Sequence, residues 1–577
     1  MIITFTVSTV STVSTVSTVS TVTIMTTINK DILTCILSFH ISNVKDVIPK
    51  RLVNKLFNKT ISDVNTWRHF PPITVETDID IILANKDCLH WYHGNLHVKP
   101  DPKHMTIVAK LTKCYRMSID LSGSNVTDVS ALANAYALNL AHTRVRDVST
   151  LSHVNILDLS NTEVVDVTPL TNVNTLDLSS TEVTDVSALT NVHTLYLCHT
   201  DVTDVSALGH VHTLNLANSQ VTDVSALTYV YALGLDNTKV VDVSALTNVR
   251  ELYLSNTDVV DVSALGHVHT LHLVNTKVTD VSMLGHVHTL RLDNTQVTDV
   301  SALSHVHTLN LTGTKVTDVS MLSHVHNLCL VSTAVTDVSA LTHVHTLNLS
   351  HTKVVDVSAL TNVHALCLRH TNVSDVSTLG HVHTLDLSDT KVVDVSALTH
   401  VHTLILYNTM VSDVSALTDV HTLDLSFTKV VDVSSLGGTH NLDLACTKVV
   451  DAKALGRVHT LNLNCTKVVD VSMLTDVHTL DLGCSDVIDV SALANVHTLN
   501  LSSTKVVDVS MLTDVHNLDL CNSEVVDVST LGRVHTLNIS FTKVVDVSML
   551  GNVDTLDITC TDVADISMLT GVRSLIH

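Results

Sequence analysis

The stretch LDLSNTEVVDVTPLTNVNT, residues 157–175, recurs along most of the chain with a fixed period of 19 residues. Its leading leucine reappears at Leu176, Leu195 and Leu214 and onward to Leu575, without an insertion or deletion. Counted from Ile119, the array holds 24 periods. A repeat this short and regular predicts a solenoid, in which each repeat is one coil that buries its apolar residues only by stacking on its neighbours.

The apolar residues predict the path of one coil. We number the positions of each coil 0 to 18 from the leading leucine, so that Leu385 is position 0 and Thr403 is position 18. Apolar residues recur at positions 0, 2, 7, 10, 13 and 16. The pair at positions 0 and 2 has the period of a short strand with both leucines facing inward. The later apolar residues are too closely spaced to bracket a helix, so we expect extended chain, turns or short 3₁₀ segments there.

The pattern V-x-x-L-x-L-x-x-T-x-V resembles the leucine-rich repeat signature, and V-x-D-V-S-x-L is similar to its bacterial internalin variety. This resemblance covers about four fifths of the chain. It implies a repeat solenoid with parallel β-strands on the concave face and little helix on the convex face. In place of the family's buried Asn, position 5 carries a hydroxyl in every coil, as at Thr162 and Ser219. We expect these hydroxyls to bond the turning backbone of adjacent coils, less fully than amides would.

A column of aspartates occupies position 9 in all 24 coils, from Asp128 to Asp565. Stacked carboxylates about 5 Å apart repel one another unless each is held by donors. The D-V-S-x-L context predicts that each Asp accepts a backbone N–H two or three residues on. A calcium ladder is the alternative, but it requires a G-G-x-G-x-D repeat, which this chain lacks.

Composition limits the classes of partner. The chain has 577 residues, 45% of them apolar, and a formal charge of -24, which the Asp column largely explains. An acidic surface argues against a nucleic-acid partner. Eleven cysteines at scattered positions do not form a disulfide framework, so we expect a reducing, cytoplasmic location (the host cytoplasm if the protein is viral). Cys446, Cys465 and Cys484 nevertheless share one position in consecutive coils, close enough to react if oxidised.

The first 28 residues form a low-complexity tail with five tandem S-T-V triplets. We expect this tail to be disordered and β-prone. A signal peptide or membrane span is the less favoured interpretation, because the tail lacks a basic start and is rich in hydroxyls. We therefore predict no membrane partner.

Residues 29–69 have apolar spacings that predict three short amphipathic helices. The order L-x-x-I-L-S-F, V-K-D-V, R-L-V-N-K-x-F-N and a final Trp resembles an F-box. The usual Leu-Pro opening is missing, and His40 and Pro49 are unusual. The resemblance implies docking on the Skp-type adaptor of cullin-RING ubiquitin ligases; the alternative is a helical cap over the first coil. The implied adaptor contacts are Leu33, Ile36, Leu37, Leu52, Val53 and Trp67.

Residues 70–118 are interpreted as a linker and N-terminal cap before the solenoid of residues 119–577. Within this segment, HWYHGNLHVKPDPKH at residues 90–104 is similar to a W-Y-x-x-G-x-x-H repeat of giant DNA virus proteins. That similarity implies an origin of the giant-virus type. We expect the segment to cap the first strand of the solenoid.

The predicted binding face consists of positions 18, 1, 3 and 4, which alternate with the buried leucines. Position 1 is Asp or Asn in most coils, which we interpret as a solvated default. Tyr, Arg and Phe are enriched at binding hot spots, and only 3% of the residues are aromatic. Drift among duplicated repeats is the alternative explanation. The candidate partner-binding residues are Tyr196, His199, Tyr253, His272, Arg291, Arg369, His370, Tyr407 and Phe427.

Histidine is abundant, with 38 copies, and it fills position 17 in 17 of the 24 coils. Stacking predicts a wall of imidazoles, which could capture Zn²⁺ or Ni²⁺. No cage of Cys or carboxylate completes such a site, so we favour a solvated column and predict no metal and no cofactor. Because protonation of all the histidines would reverse the sign of the net charge, we expect stability to fall as they become charged.

No catalytic arrangement is evident, because Ser, His and Asp occur as columns without a unique nucleophile and base. We therefore predict that the protein is not an enzyme. The leading hypothesis is an F-box and leucine-rich repeat receptor that recruits a target protein to a cullin-type ubiquitin ligase. The alternatives are a binding scaffold unconnected to a ligase, or an internalin-like surface adhesin, which would require export.

Overall fold

The computed structural model describes residues 74–77 and 95–98 as strands, residues 108, 110 and 112, and residues 117–577. The chain divides into two compact units, one ending at Thr257 and the other comprising Asp258–His577. The S-T-V tail and the F-box-like segment lie outside the described residues. This includes all the predicted adaptor contacts, Leu33, Ile36, Leu37, Leu52, Val53 and Trp67.

Each coil of residues 117–577 contains one short strand followed by turns. The strand covers positions 18, 0 and 1, and its central leucine is buried, as in Thr384–Asp386. The apolar residues at positions 0, 2, 7, 10, 13 and 16 form the core: all six of them in the coil that starts at Leu385 are at most 1% exposed. Short 3₁₀ segments occupy positions 11–13 in some coils. The predicted inward leucine pair and the near absence of helix are therefore confirmed.

The described part of the first unit contains ten parallel strands, each paired with the next in sequence. From Ile119 onward the register advances by one repeat, so that Leu138 lies opposite Leu157. The strands are β1 Thr74–Thr77, β2 Asn95–Val98, β3 Met117–Asp120, β4 Ala137–Asn139, β5 Ile156–Asp158, β6 Thr175–Asp177, β7 Thr194–Tyr196, β8 Thr213–Asn215, β9 Ala232–Gly234 and β10 Glu251–Tyr253. Its 3₁₀ segments are Ser130–Leu132, Thr168–Leu170 and Ser206–Leu208.

The second unit repeats this arrangement with seventeen parallel strands in sequence order. They are β11 Thr270–His272, β12 Thr289–Arg291, β13 Thr308–Asn310, β14 Asn327–Cys329, β15 Thr346–Asn348, β16 Ala365–Cys367, β17 Thr384–Asp386, β18 Thr403–Ile405, β19 Thr422–Asp424, β20 Asn441–Asp443, β21 Thr460–Asn462, β22 Thr479–Asp481, β23 Thr498–Asn500, β24 Asn517–Asp519, β25 Thr536–Asn538, β26 Thr555–Asp557 and β27 Ser574–Ile576. The 3₁₀ segments are Ser263–Leu265, Ser301–Leu303, Lys453–Leu455 and Ser491–Leu493. No helix among the described residues has the length and apolar character needed to span a bilayer.

The aspartate column caps a turn in every coil, as predicted. In all 24 coils one carboxylate oxygen accepts the backbone N–H of the residue two positions on, at 2.8–3.1 Å. At Asp356, hydrogen bonds from the hydroxyl and the backbone N–H of Ser358 hold the pKa of the carboxyl below its usual range. The repulsion within the column is thus offset locally, by donors in each turn.

The hydroxyl column at position 5 is buried but bonds differently from our expectation. In 22 coils the hydroxyl donates to the carbonyl at position 2 of its own coil, as Thr447 does to Leu444 at 2.6 Å. The expectation that these hydroxyls join adjacent coils is wrong. The reason is local: the position 5 residue closes a tight turn, and its own N–H reaches the same carbonyl, at 3.2 Å for Thr447. The buried hydroxyls of Ser219 and Ser523 have no partner.

Candidate binding face

Side chains at positions 17, 18, 1, 3 and 4 point away from the core, and we call the surface that they form the strand face. Around β18, His402 and Asn408 lie at the two borders of the strand face and are exposed. Thr403, Ile405 and Tyr407 lie between them and are half-buried. Since positions 0 and 2 are filled by buried leucines, this surface is the part of each strand that is open to a partner.

The Asp or Asn at position 1 has a structural role that the sequence analysis missed. These side chains are half-buried, and most accept the backbone N–H two residues on: Asp386 accepts that of Ser388 at 2.9 Å, and Asn348 that of Ser350 at 3.0 Å. Where it is Asp or Asn, position 1 therefore caps a second turn of its coil and is not merely solvated. The signal was available, because the same spacing had identified the cap at position 9.

Position 4 has a left-handed backbone in every coil, which the sequence analysis also missed. From Gly123 to Cys560 all 24 residues at this position have φ between 52° and 68°. Asn and Gly tolerate this conformation best, and the enrichment of Asn at position 4 was the overlooked signal. Bulky residues are unfavourable there, yet the position holds Phe427 and Phe541, whose side chains are 51% and 58% exposed.

Four of the nine predicted binding residues lie together on the second unit. The ring centroids of Tyr407 and Phe427 are 5.3 Å apart with an interplanar angle of 59°. Nearby coils place His370 Nε2 at 3.2 Å and Arg369 Nε at 3.8 Å from Asp389 Oδ2. We call these five residues the aromatic–basic patch.

Asp389 links the two halves of the aromatic–basic patch. Its side chain is only 13% exposed, and its Oδ1 accepts a hydrogen bond of 2.7 Å from Asn408 Nδ2, next in sequence to Tyr407. On the other side, the ring of His370 stacks on that of His351 at 4.4 Å. The basic groups thus face a fixed carboxylate, while the guanidinium of Arg369, 49% exposed, and the ring of Phe427 stay accessible.

The other predicted residues lie elsewhere. Arg291 donates twice to the buried Asp293, at 3.0 and 3.2 Å, and that hydrogen bonding raises the pKa of its guanidinium. His272, on β11, is half-buried. The remaining three residues, Tyr196, His199 and Tyr253, belong to the first unit.

The predicted wall of imidazoles is present, and we call position 17 from His269 to His535 the histidine column. Fifteen consecutive coils carry His here, and neighbouring ring centroids are 4.5–4.8 Å apart. Burial and then the neighbouring imidazoles lower the pKa of His307, His345 and His497. Stacking directs ring nitrogens side by side instead of toward one point. Accordingly, no group of three or more His, Cys, Asp or Glu within the described ranges is arranged to hold a metal ion.

Comparison with solved structures identifies the fold. The chain is similar to the TLR13 chain of a TLR13–ssRNA13 complex, with a TM-score of 0.56 at 18% identity, over 82% of this chain and 89% of that one. The fold is a leucine-rich repeat solenoid. At this identity the similarity shows the fold alone.

Two further leucine-rich repeat structures align over long stretches but superimpose loosely. An internalin, InlF of Listeria monocytogenes, has a TM-score of 0.29 at 20% identity, covering 66% of this chain and 91% of that chain. The Drosophila Toll–Spätzle complex gives 0.45 at 13% identity, with 87% of each chain covered. The internalin variety of repeat therefore stays a prediction. No family model matches the sequence, and no curated protein does.

Proposed function

We propose that the protein is a leucine-rich repeat binding scaffold whose aromatic–basic patch holds a segment of a protein partner. The observation that carries this proposal is the position of Phe427. Its backbone is left-handed, its ring is 51% exposed, and that ring lies 5.3 Å from the Tyr407 ring at an interplanar angle of 59°. Phe541 shares the first two features, so the adjacent Tyr407 ring is what distinguishes Phe427, and partly exposed aromatic side chains that lie together are typical of binding hot spots.

The chemistry of the patch indicates what it would hold. The two rings offer an apolar surface on which an aliphatic or aromatic side chain can lie. Arg369 can pair with a carboxylate through two parallel N–H groups, since its present contact with Asp389 is long, at 3.8 Å. The preferred ligand is therefore a peptide segment in which an apolar residue neighbours an acidic one.

Proximity labelling with the full-length chain tests this proposal. Tyr407→Ser combined with Phe427→Asn removes both rings while keeping a residue suited to the left-handed backbone at position 4. Phe541→Asn is the matched control, because Phe541 has the same backbone conformation and similar exposure outside the patch. We expect a set of proteins to be labelled by the original chain and the control but not by the double variant. Equal labelling by all three chains would refute the role of the patch.

We further propose that residues 29–69 bind a Skp-type adaptor, so that the partner on the strand face is presented to a cullin-type ubiquitin ligase in the cytoplasm. This part rests on the sequence resemblance alone. The intact chain should co-purify with the adaptor, and Leu37→Ala with Trp67→Ala should abolish the complex while Tyr407→Ser with Phe427→Asn leaves it intact. If the intact chain does not bind the adaptor, the ligase role is rejected, whereas the proposal of a binding scaffold is unaffected. Fractionation of cells that express the chain would test the location.

A further inference from the structure

Three thiols line one edge of the strand face in consecutive coils. Cys446, Cys465 and Cys484 all occupy position 4, with φ of 57°, 57° and 55°. None of them is in a disulfide; Cys465 and Cys484 are exposed and Cys446 is half-buried. Because the three residues share one backbone conformation, their Cα–Cβ bonds project in the same direction from successive coils.

The backbone fixes the spacing of these coils. The N–H of Cys446 donates to the carbonyl of Asn464 at 2.9 Å, and that of Cys465 to the carbonyl of Gly483 at 2.8 Å. The strands just before them, β20, β21 and β22, pair in parallel register. Paired strands lie about 4.8 Å apart, within the range of about 4.4–6.8 Å between the Cα atoms of a disulfide. Two coils span about 9.6 Å by the same spacing, too far for Cys446 to reach Cys484.

The thiols already interact in the reduced protein. Partial desolvation, followed by contacts with the thiols of Cys484 and Cys446, raises the pKa of the Cys465 thiol to about 11. A central thiol that stays protonated between two others is a poor first nucleophile, since the thiolate is the attacking form. The first attack on an oxidant therefore falls to Cys446 or Cys484.

We propose that Cys446, Cys465 and Cys484 form a thiol–disulfide exchange site in which Cys465 closes a coil-to-coil disulfide with one neighbour at a time. The co-reactant is a low-molecular-weight disulfide. In the first step the Cys484 thiolate attacks one sulfur of that disulfide, forming a mixed disulfide and releasing one thiolate. In the second, the Cys465 thiol loses its proton to solvent and its sulfur attacks Cys484 Sγ, releasing the second thiolate. Two protein thiols are oxidised and one small disulfide is reduced to two thiols.

The same two reaction steps can begin with attack by the Cys446 thiolate instead. In either case only one disulfide forms among the three cysteines, and the remaining thiol is free to exchange with it. The site would thus move a covalent link between two neighbouring pairs of coils, directly beside Phe427 at position 4 of the preceding coil.

Peptide mapping of the folded, full-length chain tests the proposal. The chain is incubated with oxidised glutathione at pH 8, remaining thiols are alkylated, and the monomer is digested with trypsin. Lys448 and Lys467 place the three cysteines in separate peptides, residues 430–448, 458–467 and 468–505. We expect peptide 458–467 to be linked to either of the other two, and no link between residues 430–448 and 468–505.

Cys560 is the internal control, because it is an exposed free thiol with the same left-handed backbone, but the preceding coil carries Phe541. It should yield only the glutathione adduct or the alkylated thiol. Cys465→Ser should reduce both cross-links to background, while Cys560→Ser leaves them unchanged. Glutathione adducts on all three column thiols without cross-links, or a 446–484 link, would overturn the proposal.

Discussion

The imidazole of His402 lies on that of His421, with ring centroids 4.7 Å apart and planes within 10° of parallel. This pair belongs to a stack in which every ring from His288 to His516 has an imidazole on both sides. Protonating two stacked rings places like charges at that distance. The stack is therefore favourable while its imidazoles are neutral.

Acidification should destabilise the second unit between about pH 7 and pH 5. The pKa of His307, His345, His421 and His497 is lowered by burial and then by the adjacent imidazoles. Below the ordinary histidine pKa of about 6.5, the histidines of the unfolded chain become protonated. Those of the folded histidine column stay neutral to a lower pH. The stabilising contribution is present above that pH and is lost as the pH falls through the lowered values. The urea midpoint should drop between pH 7.5 and 5.5.

A variant with these four histidines replaced by Asn isolates the column. It interrupts the stack and should lose less stability than the original chain over the same pH interval. A urea midpoint that is flat from pH 7.5 to 5.5 in the original chain would contradict the prediction.

Thr439→Val should stabilise the protein by about 1–2 kcal/mol, because a buried hydroxyl without a partner is removed at nearly constant shape. Thr439 is 1% exposed, and its hydroxyl has no hydrogen-bond partner. It stands at position 16, where neighbouring coils carry the buried Val420 and Val458. Urea unfolding measures the change.

Thr447→Val is the matched control for that substitution. The hydroxyl of Thr447 is also buried but donates to the Leu444 carbonyl at 2.6 Å. Its loss should destabilise the protein by about 1 kcal/mol. If both substitutions shift the midpoint in the same direction, hydrogen bonding does not distinguish the two sites.

The sequence predicted the features that depend on one coil's own pattern. Leucine and valine columns, short parallel strands and the Asp cap at position 9 all follow from periodicity and turn chemistry, and the structure confirms them. The acceptor of the position 5 hydroxyl depends on how tightly the chain turns between Leu444 and Thr447, which spacing alone does not specify. The aromatic–basic patch was predicted only in part. Four of its residues were candidates, but the half-buried Asp389, which contacts His370 on one side and Asn408 on the other, was not.

Phe541→Asn should raise the free energy of unfolding by about 1 kcal/mol, because Asn adopts the left-handed backbone at a lower cost than Phe does. Phe541 has φ of 58° and is 58% exposed, so little apolar burial is lost. Asn occupies the same position in the preceding coil, at Asn522 with φ of 55°. Thermal unfolding of the two chains measures the gain. The reverse type of change, Asn522→Val, should destabilise the protein; if it is neutral, position 4 does not demand its left-handed conformation.

Asp519→Asn should stabilise the folded chain at pH 7 by a fraction of a kcal/mol, since the half-exposed carboxylate is partly screened. Burial, followed by the carboxylates of Asp481 and Asp557, raises the pKa of Asp519. A carboxyl whose folded pKa lies above its unfolded value opposes folding once it is ionised. The gain should therefore shrink as the pH falls through that raised pKa toward the ordinary value of about 3.9, and also as salt is added.

The Asp519→Asn variant keeps the turn cap. In the original chain the N–H of Cys521 donates to the Asp519 carboxylate at 2.9 Å, and the oxygen of the introduced amide can still accept that hydrogen bond. Asp519→Ala removes both the charge and the acceptor, so it separates the two contributions and should lower the urea midpoint. A gain from Asn that persists unchanged at pH 4 would show that relief of charge is not its cause. A gain from Ala equal to that from Asn would show that the position 1 cap contributes nothing to this turn.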